Sequence, residues 1–102
     1  MNYANHIGYS DVNPHEIVRR VSGKTLDVRA MRATRSPDWA PEIIPGGFSG
    51  HCVNQSSQAW DITSDASAPI VRIRLGRFGW KDARGNRYKL SEVPVKFYDY
   101  NF

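Results

Sequence analysis

A single cysteine in 102 residues leaves no disulfide to form within the chain, so a disulfide-stapled scaffold is excluded. No apolar run approaches the roughly eighteen residues that a membrane-spanning helix needs, and no membrane partner is expected. Collagen and coiled-coil compositions are absent, as are internal repeats and low-complexity segments. The opening Met1-Asn2-Tyr3-Ala4-Asn5-His6 lacks the basic and apolar regions of a secretory signal, which makes a cytoplasmic address the expectation. Glycine-rich loops with phosphate-cradling spacing are also missing, and so is the aromatic-basic run of an RNP-type domain.

The chain does have 40% hydrophobic residues and twelve aromatics (three Trp, five Tyr and four Phe), enough to argue against disorder. Its length suits one domain over residues 1–102, burying about 65% of the unfolded surface. The net charge of +4 is unevenly spread. Residues 1–68 sum to −1 and residues 91–102 to −1, whereas residues 69–90 reach +6 through Arg72, Arg74, Arg77, Lys81, Arg84, Arg87 and Lys89 against Asp82. So local a field favours anionic partners. The competing reading is a strand face kept soluble by arginine.

Periodicity gives the fold class. Leu26, Val28 and Ala30 alternate with Asp27 and Arg29, and Ile17 and Val21 bracket Arg19, across a turn at Ser22-Gly23-Lys24. A short helix over 13–21 is the rival, capped at Asn13 with Pro14 in its first turn, but β-branched Ile17, Val18 and Val21 disfavour it. The clearest strand is 69–75, with Val71, Ile73 and Leu75 on one side and Arg72 and Arg74 on the other. Further extended pieces fall at 58–63, at 87–90 with Tyr88 and Leu90 inward, and at 95–100. Between Arg32 and Gly50, Pro37, Pro41, Pro45 and a glycine cluster predict a long irregular excursion packed across one end of the domain. The expected fold is all-β: a small barrel or sandwich of six or seven short antiparallel strands with little or no helix.

Five constellations bear on function. Phe78, Trp80 and Tyr88 lie among the cations, so Arg72, Arg74, Arg77, Trp80, Lys81, Arg84, Arg87 and Tyr88 form the leading candidate site, for nucleic acid or a nucleotide, with Trp80 and Tyr88 as stacking rings and a core role for the two as the competing reading. His51, Asn54, Gln55 and Gln58 are secondary candidates, since their side chains donate and accept hydrogen bonds, yet they suit the internal bonding of a loop equally well. Cys52 beside His51 invites a thiol mechanism, but neighbours on a strand point to opposite faces and no third member can be assigned. Three His and one Cys lack zinc-ligand spacing, so no metal and no cofactor is expected. Trp39, Ile43, Ile44 and Phe48 offer a fifth possibility, an apolar patch for a protein partner.

Taken together, Ile7-Gly8-Tyr9-Ser10-Asp11, the Val-containing hairpin, Gly46-Gly47-Phe48, His51-Cys52, Asn54-Gln55 and the terminal Tyr98-Asp99-Tyr100-Asn101-Phe102 resemble small β-rich proteins of unknown function encoded by phages and prophages. The resemblance touches both ends and the middle of the chain and carries over no catalytic residue. It implies an accessory protein in the cytoplasm of the infected cell, with counter-defence as a role by analogy. A non-enzymatic module for an anionic partner is therefore expected first, a protein inhibitor or assembly factor acting on a host protein second, and a thiol or metal-dependent enzyme last.

Overall fold

The computed structural model describes residues 1–44 and 51–101. Among these residues the strands are β1 (Tyr3–Ile7), β2 (Val12–Asn13), β3 (His15–Ser22), β4 (Thr25–Ala30), β5 (Arg32–Arg35), β6 (Ile43–Ile44), β7 (His51–Cys52), β8 (Trp60–Thr63), β9 (Ile70–Gly76), β10 (Gly79–Lys81) and β11 (Arg87–Ser91). One turn of 3-10 helix at Gln55–Ser57 is the sole helical element among them. Strands β1, β3, β4, β9, β10 and β11 close into an antiparallel barrel, because β11 pairs with β10 on one side and β1 on the other. The expected all-β class holds, and the barrel is the form it takes. Strand β2 continues β3, since Tyr3↔Glu16, His6↔Asn13 and Ile7↔Val12 keep a single register along β1. Pro14 interrupts the two because proline has no N–H to offer the ladder.

Alternation along the strands builds the interior. Ala4, Leu26, Val28, Ile73 and Tyr88 form the buried core, and Ile17, Val71, Trp80 and Leu90 pack around it. Six strands leave less room than the eight whose interior side chains just fill, and Ala4 fits this space with no exposed surface. The hairpin of β3 and β4 forms around Ser22-Gly23-Lys24 as expected, so residues 13–21 are not helical. Ile17 and Val21 do not share a face, however. Register shifts between Ile17 and Arg19 and between Arg20 and Ser22 break the alternation, leaving Val21 exposed.

The excursion from Arg32 to Gly50 also differs from expectation. It begins with β5, which pairs with β8, and continues to β6, which pairs with β7. Arg32-Ala33-Thr34-Arg35 has almost no apolar signal of its own; the pairing depends on a partner 25 or more residues away that presents Trp60 and Ile62 on one side. Residues 45–50, including the Gly46-Gly47-Phe48 segment, lie outside the described residues. The molecule measures 50 × 28 × 22 Å along its principal axes.

The C-terminal segment makes one bridge, Val12↔Phe97, where a full final strand is expected. Side chains hold the rest of it. Asn5, buried on β1, accepts from the Val95 N–H at 2.9 Å and donates to the Val93 carbonyl at 3.3 Å. Asp11 Oδ1 accepts the Asp99 N–H at 2.8 Å. Tyr98 and Tyr100 pack edge to face, their ring centroids 4.7 Å apart, and Tyr100 lies 5.5 Å from Trp39. Phe102 lies outside the described residues.

One end of the barrel interior is polar. The rings of His6 and His15 stand 5.4 and 5.3 Å from Tyr88 and 6.2 Å from each other. The Tyr88 hydroxyl donates to Asp82 at 3.0 Å, and burial together with that carboxylate raises its pKa. Burial pushes the His15 imidazole below its usual value, helped by His6 and opposed by the Asn13 carbonyl and Asp82.

Two outcomes are expected. Asn5→Ala leaves the Val95 N–H without its acceptor and should cost about 1–3 kcal/mol, read as a lower urea midpoint. As for pH, the unfolded chain takes up a proton at His15 near the ordinary value while the folded chain resists it. Stability attributable to His15 is thus full above about pH 6.5 and lost as the pH falls below it, with a slope of at most about 1.4 kcal/mol per unit for one proton. Melting curves from pH 7.5 to 5.5 should show this loss, and His15→Gln should flatten it.

Candidate nucleic-acid interface

Residues of β9, β10 and β11 that point away from the core carry the positive charge. Strand β9 alternates, so Val71 and Ile73 pack inward while Arg72 and Arg74 face out. Registers then align the cations across strands: Arg74 is paired with Lys81, and Lys81 with Arg87. Thr25 flanks this row on β4 and Ile7 flanks it on β1. All three cations are exposed, and among the described residues none has an acidic partner within ion-pair distance. Like charges directly opposite on neighbouring strands are destabilising.

A tight turn sets the register of the row. Gly76 pairs with Gly79, and Gly79 takes φ +103°, a conformation other residues rarely adopt. Arg77 and Phe78 form the tip. Phe78 is 76% exposed, with the Arg77 guanidinium 5.5 Å and the Lys81 ammonium 5.9 Å from its ring centroid. This ring, more open than Trp80 or Tyr88, is an exposed aromatic beside the row. Phe78 is among the aromatics that the sequence interleaves with the cations, although the candidate site drawn from sequence holds only Trp80 and Tyr88.

Trp80 and Tyr88 face the core rather than the cationic row. They pair with each other across β10 and β11 on the inward side, Tyr88 buried and Trp80 packed on the core. Arg72 is also committed. It forms a two-pronged pair with Asp27, Nε to Oδ1 at 2.8 Å and Nη2 to Oδ2 at 3.2 Å. The hydrogen bond from Arg72 holds the Asp27 carboxyl below the ordinary range, with the Arg72, Arg19 and Arg74 charges adding to it. Arg84 stands across a groove from β9, on the 82–86 loop.

The amides tie the chain to itself. Gln58 Oε1 accepts from Tyr98 N–H and Trp60 Nε1, and its Nε2 donates to the Gln55 and Tyr98 carbonyls. Gln55 Oε1 accepts the Tyr100 N–H at 2.9 Å. Asn54 accepts from the Glu42 N–H and donates to the Ala40 carbonyl. His51 is exposed, whereas Cys52 is buried and donates from Sγ to Asn54 Oδ1 at 3.4 Å. Among the described residues no three His, Cys, Asp or Glu side chains cluster closely enough to hold a metal ion. Of the apolar patch, Ile43 and Ile44 are about half exposed, Trp39 donates from Nε1 to Ser57 at 3.2 Å, and Phe48 lies outside the described residues.

Arg72→Ala should lower the melting temperature more than Arg74→Ala. The first strands a shielded carboxylate, while the second removes a solvated cation from a repulsive row and should shift stability by no more than about 0.5 kcal/mol. Equal melting temperatures for the two variants would contradict this division.

No family model matches the chain, and comparison finds no similar curated protein or solved structure.

Proposed function

We propose that this chain is a non-enzymatic module that binds nucleic acid in single-stranded form along the outer face of its barrel. The observation that carries this reading is the row Arg74, Lys81 and Arg87, aligned by register and without acidic partners among the described residues. Adjacent strands lie about 4.8 Å apart, so the three charges span roughly 10 Å and can follow a phosphate backbone rather than grip one ion. Phe78 at the hairpin tip offers a face on which a base can stack, a contact every base can make. A strand running from Phe78 over the row would meet both parts in order. The setting we propose is that of a phage-type accessory protein in the host cytoplasm, following the resemblance noted above, with counter-defence as its use.

Fluorescence anisotropy with a labelled oligothymidine, measured over a salt series, tests the proposal. Binding should weaken steeply with salt. Each of Arg74→Ala, Lys81→Ala and Arg87→Ala should reduce the log–log slope by about 0.7. Phe78→Ala should cost about 1–3 kcal/mol of affinity with little change in slope. Binding that ignores salt, or none at low salt to any single strand, would refute the reading.

A further inference from the structure

We infer that the groove between β9 and the 82–86 loop is a pocket for one nucleotide of the bound strand. This rests on the single-strand reading but can be tested apart from it. Strand β9 pairs with β10 only from Gly76 to Arg74, while its pairing with β4 runs on to Ile70. The Leu75 N–H donates to Lys24 on the β4 side at 2.9 Å. Antiparallel pairing alternates, so Ile73 and Val71 also bond toward β4, and Arg72 and Ile70 turn their N–H and C=O groups the other way. No strand among the described residues pairs with that edge.

The opposite wall is braced. Asp82 accepts from the backbone N–H of Arg84 and Asn86 at 2.9 and 3.0 Å, from Asn86 Nδ2 at 2.9 Å and from the Tyr88 hydroxyl at 3.0 Å. Four donors thus absorb its charge within the loop. Between the walls lies a groove of 550 Å³, a size suited to a small organic ligand. Ile70, 58% exposed, and Val71 contribute apolar surface, and Arg74 and Arg84 stand at the same groove. Free peptide groups suit a base edge, apolar surface suits a base face, and arginines suit a phosphate. An added peptide strand fits less well, because only Ile70 and Arg72 present peptide groups outward. Arg74 belongs to both groove and row, so a strand following the row would arrive at the pocket.

The test is an amide NMR titration of the intact chain with the four nucleoside monophosphates, the free nucleosides and inorganic phosphate. Monophosphates should shift the amides of Ile70, Arg72 and Arg84 saturably, nucleosides more weakly, and phosphate should leave the Ile70 amide unmoved. Arg84→Ala should weaken monophosphate binding at least fivefold; its side chain takes no part in holding Asp82, so the loop persists. Lys81→Ala and Arg87→Ala should leave that affinity within twofold while weakening the oligonucleotide. Unshifted Ile70 and Arg72 amides, equal shifts with phosphate alone, or shifts there with an acidic peptide and not with nucleotides would each overturn the pocket. Monophosphate binding without oligonucleotide binding would instead refute the single-strand reading and leave the pocket standing.

Discussion

Closure of the barrel through β1 and β11 is the constraint on which the rest depends. Five residue pairs from Tyr3↔Ser91 to Ile7↔Arg87 join the ends of the sheet. Without them both strands would be open edges, with unpaired peptide groups that invite association. The closure also positions the surface. Ile7↔Arg87 sets the level of β11 against β1, and Lys81↔Arg87 with Arg74↔Lys81 carries that level to β9. A shift of one residue anywhere in this circuit would turn the cations inward and the core outward. Core and cationic row are therefore two results of one register.

The parts of the fold that could be read from sequence are those whose pattern is local. Residues 71–75 alternate between apolar and cationic, although Leu75 ends 39% exposed, and the β3–β4 hairpin has a glycine turn next to the alternating run of β4. Strand β1 was not readable in this way. Tyr3-Ala4-Asn5-His6-Ile7 puts an alanine in the core, an asparagine under the C-terminal segment and a histidine against Tyr88, so its apolar alternation is weak. Its strand character comes from partners about 85 residues away. The site divides likewise. Cation placement followed from alternation, but the Arg72–Asp27 pair spans 45 residues and was invisible until β4 and β9 were adjacent. Trp80 and Tyr88 neighbour cations in sequence, but alternation sends neighbours to opposite faces, and of the two roles the sequence allows them both rings take the core one.

Several described residues near positions 11, 52–58 and 98–101 meet in space. Asp11 from the Ile7-Gly8-Tyr9-Ser10-Asp11 segment holds the Asp99 N–H, and Val12 just after it exchanges backbone hydrogen bonds with Phe97. Cys52 and Asn101 bond reciprocally, Asn101 Oδ1 accepting the Cys52 N–H at 2.6 Å and Nδ2 donating to the Cys52 carbonyl at 2.8 Å. Gln55 and Gln58 take Tyr100 and Tyr98. The C-terminal segment is thus a clasp between the barrel and the β6–β7 ribbon. An amide side chain does here what a ladder does within a sheet, satisfying backbone donors and acceptors where strand geometry has ended. These motifs therefore speak to how the fold is closed, while the cationic face lies on β9, β10 and β11.

Strand β9 shows why one element can serve core, surface and groove together. Its inward residues anchor it, with Ile73 wholly buried and Val71 packed beside it. That burial makes a repulsive outer face tolerable, since a buried aliphatic side chain contributes about 1.5–3 kcal/mol and cross-strand pair effects amount to roughly 0.2–1 kcal/mol each. Asp27 relieves part of the repulsion by taking Arg72, while Arg74 is left in register with Lys81. The third side of the strand, its peptide edge, is free at Ile70 and Arg72 because β10 ends at Lys81, where the chain turns into the Asp82-centred loop. Extending β10 by four residues in the same register would cover that edge at both Arg72 and Ile70 and close the groove. Its shortness leaves peptide groups free next to the positive row, and it costs the barrel little because β4 already holds the same stretch of β9 from the other side.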